Sequence, residues 1–124
     1  MGEDKSKIRS FTDLYAWQKA HSLAVEIYKV TETFPSKETF GLTNQIRRAA
    51  ISTPSNIAEG FSRNTNKDKR QFYSIAQGSL TELQSQLLLA RDIGYLSKED
   101  FHKIAGQTIE VGKLINGLKK IKDK

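Results

Sequence analysis

Apolar side chains recur along the chain at alternating steps of three and four residues, in four stretches separated by short runs of turn formers. Such steps place side chains on one face of an α-helix. The first stretch opens at Thr12 or Asp13, either of which suits an N-cap, and sets Leu14, Trp17, His21, Ala24, Tyr28 and Thr31 on one seam. The second runs from about Gly41 to Phe61, with Leu42, Ile46, Ala50, Thr53, Ile57 and Phe61 in phase. The third follows Asn66, where Asp68 suits the positive end of a helix dipole, and carries Phe72, Ala76, Ser79, Leu83, Leu87 and Ala90; Leu80, Leu88 and Leu89 widen its stripe. The fourth opens at Ser97, a cap residue with acids in the following turn, and continues through Phe101, Ile104, Thr108, Val111, Leu114 or Ile115, Leu118 and Ile121. Period-two alternation is absent, so strands are not expected.

Four helices of about 20 residues joined by short turns predict an all-α fold, an antiparallel up-down-up-down four-helix bundle. The bundle is expected to occupy residues 11–118 as a single domain, with a flexible basic N-terminal tail over 1–10 and a basic C-terminal tail over 119–124. Pro54 removes the hydrogen bond to the carbonyl of Ala50. Because the apolar stripe stays in phase across it, the second helix is expected to be continuous and kinked at Pro54. That helix is also rich in small residues (Ala49, Ala50, Ser52, Ser55, Ala58, Gly60), so it can approach its neighbours on more than one side and is expected to be the most enclosed of the four. Arg48, Ser52, Ser55, Glu59 and Arg63 share a polar face, with Glu59 and Arg63 spaced as an (i, i+4) pair. These groups fix register or subunit contacts on one reading; on the other, Arg47, Arg48 and Arg63 touch phosphates.

Composition narrows the function classes. A chain of 124 residues without cysteine has neither a disulfide framework nor a thiolate metal site, which makes the cytoplasm the expected location. The longest apolar run, Leu87 to Ala90, falls far short of the ~20 residues that span a bilayer, so no membrane partner is expected. Met1-Gly2 with Ser6 fits a myristoylation pattern too short and common to carry weight.

The usual catalytic parts are missing. Glu99-x-x-His102 has the spacing of half a dimetal motif, but no second Glu-x-x-His completes it. His21, on the seam of the first helix, reads as a packed or hydrogen-bonded histidine. There is no glycine-rich phosphate loop, nucleophile elbow or arginine shortly before either histidine. The expectation is a non-enzyme without metal or cofactor.

The second helix carries the most specific pattern: Gln45-Ile46-Arg47-Arg48-Ala49-Ala50, then Ser52, then Pro54-Ser55-Asn56-Ile57-Ala58-Glu59-Gly60. Together with the opening Phe11-Thr12-Asp13-Leu14-x-x-Trp17, this resembles the four-helix bundle family of 23S ribosomal RNA intervening-sequence proteins, over most of the chain. It is also similar to the accessory variability protein of diversity-generating retroelements. The resemblance implies a cytoplasmic bacterial protein forming a ring-shaped homopentamer with a basic surface. In the retroelement relatives that surface serves a reverse transcriptase and its RNA, which makes such a protein a candidate partner here. Thr53 stands where the family more often has an aliphatic residue.

The net charge of +6 favours an acidic partner, and its distribution is uneven. In an up-down bundle the chain start, the second turn and the C-terminus gather at one end. Residues 59–70 carry +2 and residues 110–124 carry +3, against −1 for residues 71–109. Arg63, Lys67, Lys69 and Arg70 are therefore expected near Lys113, Lys119, Lys120 and Lys122, with Phe61 and Tyr73 close by. With Arg47 and Arg48 these are the candidate nucleic-acid contacts. The expected function is an oligomeric, non-enzymatic accessory factor that binds RNA or DNA through a basic end. The alternative is a self-assembling scaffold or protein-docking module, whose apolar excess, including Leu88 and Leu89, serves contact with proteins alone.

Overall fold

The computed structural model describes residues 7–122. The myristoylation pattern, the first six residues of the expected N-terminal tail and the last two of the C-terminal one lie outside the described residues. Four α-helices, α1 (Tyr15–Thr31), α2 (Leu42–Ser62), α3 (Asn66–Asp92) and α4 (Lys98–Lys119), pack as a bundle, and no strand occurs among the described residues.

Local chemistry explains most of the helix ends. The first helix starts later than its pattern suggests. Ser10, not Thr12 or Asp13, is the cap, and it caps a one-turn 3-10 helix over Phe11–Asp13. The Ser10 hydroxyl accepts from the Thr12 N–H at 3.2 Å while the Asp13 carboxylate accepts from the Ser10 N–H at 3.1 Å, a reciprocal capping box. Glu38 caps α2 from four residues upstream, its Oε1 accepting from the Leu42 N–H at 3.2 Å. Thr65 and Ser97 cap α3 and α4 by accepting from the backbone N–H of Asp68 and Asp100. After α3, Gly94 takes φ 86°. The N–H groups of Gly94 and Tyr95 donate to the carbonyls of Arg91 and Ala90, closing a Schellman turn that only glycine adopts without strain.

Helix α2 runs unbroken through Pro54. Side chains around the proline bond to nearby helix carbonyls: Thr53 donates its hydroxyl to the Ala49 carbonyl at 3.0 Å and Asn56 donates to that of Ser52 at 2.9 Å. Thr53 is fully buried, so the in-helix bond lets a hydroxyl occupy a place that otherwise suits an aliphatic side chain.

The core is built from Leu23, Ile27, Ile46, Ile57, Tyr73, Leu83, Leu87, Ile104, Val111 and Ile115. Each such side chain contributes about 1.5–3 kcal/mol of burial free energy. Helix α2 packs most extensively on α3. Ser52 and Ser79 share a hydrogen bond at 2.7 Å there, and Gly60 lies so close to Tyr73 that a Cβ would stand 2.7 Å from the ring. On the other flank of α3, Gln84 donates to Thr108 at 3.1 Å and Gln77 to Asn116 at 2.7 Å.

The predicted stripes of α2 and α4 largely face inward, but of the predicted seam of α1 only Leu14, Ala24 and Thr31 are buried. Ala16, Ala20, Leu23, Ala24, Ile27 and Thr31 are buried, whereas His21 and Tyr28 are exposed and Trp17 is only half-buried. Two stripes one residue apart compete on this helix. The slim aliphatic stripe enters the core, where bulky rings with polar edges pack less well. In α3 the register also differs from the pattern: Tyr73 and Leu80 are buried in place of Phe72 and Ser79, and Leu88 and Leu89 are exposed.

Candidate nucleic-acid interface

One end of the bundle is assembled by bonds between the start of α3 and the chain just beyond α4. Only Arg63, Asn64 and Thr65 separate α2 from α3, so the two helices turn tightly there. From the first turns of α3, Arg70 donates Nη1 to the carbonyl of Ile121 at 2.7 Å, and Asn66 donates Nδ2 to that of Lys122 at 2.9 Å. At its last residue, α4 is tied to α3 by Lys119, whose Nζ donates to Gln77 Oε1 at 3.0 Å. Residues 119–122 of the expected C-terminal tail are thus part of the folded pole: Lys119 ends α4, and two of the next three residues accept bonds from α3.

The cations at this pole divide by what they touch. Lys69 donates Nζ to the Phe61 carbonyl at 2.6 Å, satisfying one of the open carbonyls at the end of α2, and lies 5.3 Å above the Phe61 ring. Arg63 pairs with Glu59 at 2.9 Å and covers the Phe72 ring at 4.4 Å. Arg63, Lys69, Arg70 and Lys119 therefore hold the pole together. Lys67, Lys120 and Lys122 are exposed, and their ammonium groups meet no partner among the described residues. Lys113 is also exposed, but it stands about 10 Å up α4 from Lys120, at 1.5 Å per helical residue.

Arg47 and Arg48 are elsewhere. Arg47 straps α2 to the end of α1: its Nε donates to Thr31 Oγ1 at 2.9 Å, Nη2 reaches the Tyr28 carbonyl at 3.4 Å, and the guanidinium lies 4.5 Å from the Tyr28 ring centre. Arg48 is exposed on the first half of α2, far from the turn into α3. Tyr73, expected beside the lysines as a neighbouring ring, is 2 % exposed and belongs to the core. Burial raises its phenol above the ordinary range.

Sequence reasoning missed a groove of ≈ 590 Å³ between α1 and α2, walled by Trp17, His21, Val25 and Tyr28 on one side and Ile51, Pro54 and Ala58 on the other. His21, expected to be packed or hydrogen-bonded, packs its ring on Trp17, with ring centres 4.7 Å apart and planes 16° from parallel, while the side chain as a whole stays exposed. The signal was present in the second, aliphatic stripe of α1, which displaces the aromatic stripe from the core.

No cluster of three or more histidine, cysteine, aspartate or glutamate side chains able to hold a metal occurs among the described residues. Glu99 and His102 are both exposed in the first turns of α4. Nor is any helix among the described residues long and apolar enough to cross a membrane.

Comparison with known proteins places this architecture. No curated protein sequence is similar to the chain. Among solved structures, it is similar to a protein of unknown function from the S23 ribosomal protein family of Bacteroides thetaiotaomicron, with a TM-score of 0.79 and 23 % identity, over 86 % of this chain and 99 % of that one. At that identity the likeness establishes the fold. The profile of 23S rRNA-intervening sequence proteins matches residues 12–117, nearly the whole bundle. The chain belongs to the 23S rRNA-intervening sequence protein family.

Proposed function

We propose that this protein is a non-enzymatic, homo-oligomeric accessory factor that binds RNA or DNA through the phosphate backbone at its basic pole. The observation that carries this reading is the anchoring of the C-terminal chain to the start of α3 by Asn66 and Arg70, which sets Lys67, Lys120 and Lys122 around one end with their charges uncommitted. Phosphate contacts of this kind are independent of sequence and weaken as salt rises, because releasing the same counterions into a saltier solution gains less entropy. Each subunit contributes few cations, so copies held together in an oligomer bind one polyanion far better than a single chain does. The apolar groove between α1 and α2 supports a contact between subunits or with a protein partner. That groove also favours the second reading, a scaffold that docks proteins and touches no nucleic acid.

Fluorescence anisotropy with labelled RNA separates the two. The first reading predicts binding at low salt that weakens as salt rises and is lost when Lys67, Lys120 and Lys122 are all changed to glutamate. Absence of binding at low salt, or binding indifferent to salt, leaves only the scaffold.

A further inference from the structure

The aromatic rings around the pole bear on which form of nucleic acid it takes. Proteins that hold single strands combine a cationic track with open ring faces on which bases stack, worth about 1–3 kcal/mol per base. Here the rings beside the lysines are partly closed off. Phe61 lies under Lys69 and Phe72 under Arg63, while Tyr73 is buried. Tyr15, on α1, is 55 % exposed, but Lys19 stands 5.3 Å from its ring centre over one face, and Trp17 is stacked by His21 and met edge-on by Phe11. Phe40, 94 % exposed, is an open ring, but it stands at the opposite pole. There Tyr95 donates its hydroxyl to Glu38 at 3.0 Å, joining the turn before α2 to the turn after α3. The basic pole therefore offers charge, while its rings are buried, half-buried or covered on one face by a cation.

We propose that the basic pole takes double-helical nucleic acid in preference to single strands, holding it by phosphates alone. This rests on the nucleic-acid reading above. A duplex presents one charge per about 1.7 Å of axis, and its salt slope per neutralised phosphate is about 0.9, against about 0.7 for a single strand. For three free lysines that difference amounts to about tenfold tighter duplex binding at about 20 mM salt, relative to molar salt. A protein with open rings recovers the deficit through base stacking; this pole has little such compensation.

The test is anisotropy at about 20 mM salt with three probes of about 20 nucleotides per strand: an RNA duplex, a DNA duplex and a uridine strand. Wild type is compared with the triple variant K67E/K120E/K122E, whose helicity is checked by circular dichroism. The expected result is tighter binding of both duplexes than of the uridine strand, about tenfold, with loss of duplex binding in the variant. A uridine strand bound as tightly or more tightly overturns the duplex preference and leaves the function standing. Duplex binding that survives the triple charge reversal overturns the assignment to this pole, and no binding to any probe overturns both the preference and the function.

Discussion

Helix α2 meets its two neighbours in opposite ways. Toward α3 it presents Ser52, Asn56 and Gly60, and the contact is closed by a serine pair at 2.7 Å and by a glycine pressed on Tyr73. Toward α1 it presents Arg47, Ile51, Pro54 and Ala58, and only the end near Thr31 is strapped shut; the remainder opens into the groove beneath Trp17 and Tyr28. One face of a single helix thus maintains the fold while the other leaves apolar surface uncovered. Small residues with hydrogen-bonding groups permit close approach, whereas rings set on a helix flank hold their neighbour away.

Substitutions on the two sides should therefore differ in kind. The largest effect is expected in the shared core: Ile57→Ala is expected to cost about 2–5 kcal/mol in chemical denaturation, because a fully buried side chain leaves a cavity. Gly60→Ala follows at about 1–3 kcal/mol, since the new methyl must displace Tyr73 or the Lys69 backbone, whose carbonyl lies 3.2 Å from the added carbon. Ser52→Ala removes the serine pair and also an acceptor of Asn56, and is expected to cost about 1 kcal/mol. On the open side, Ile51→Ser is expected to change unfolding free energy by about 0.5 kcal/mol or less while reducing self-association in gel filtration. A change of several kcal/mol there would mean that the groove belongs to the core after all.

The smallest expected effect comes from Tyr73. Burial keeps its phenol protonated above the ordinary pKa, so the folded chain holds that proton more tightly than the unfolded chain does. This contribution is complete below about pH 10 and is lost as pH rises through the raised folded value. Thermal melts from neutral to strongly alkaline pH should show the decline, and Tyr73→Phe should blunt it.

The stripes of α2 and α4 were legible because only one three-four pattern on each helix carries large aliphatic side chains. In α1 two such patterns lie a residue apart, and periodicity alone does not choose between Leu23 with Ile27 and Trp17 with Tyr28. The choice depends on the width of the space left by the other helices, which no single segment encodes. At the pole, the sequence pattern brought Lys67 and Lys120 to one end through the order of the helices. The spacing of Glu59 and Arg63 signalled their ion pair, but nothing in the pattern revealed that Lys69 is occupied, because the Phe61 carbonyl becomes its partner only when the turn at 63–65 closes. Arg47 illustrates the same point at the other end of α2, where the Thr31 hydroxyl engages a guanidinium that the motif alone presents as free.

Light scattering coupled to gel filtration, run with and without RNA at low salt, tests the proposed function most directly. The account predicts one species several times heavier than the 14.0 kDa chain, which gains mass when RNA is added and releases it as salt is raised. A uniform species at the mass of a single chain that elutes apart from RNA would contradict it.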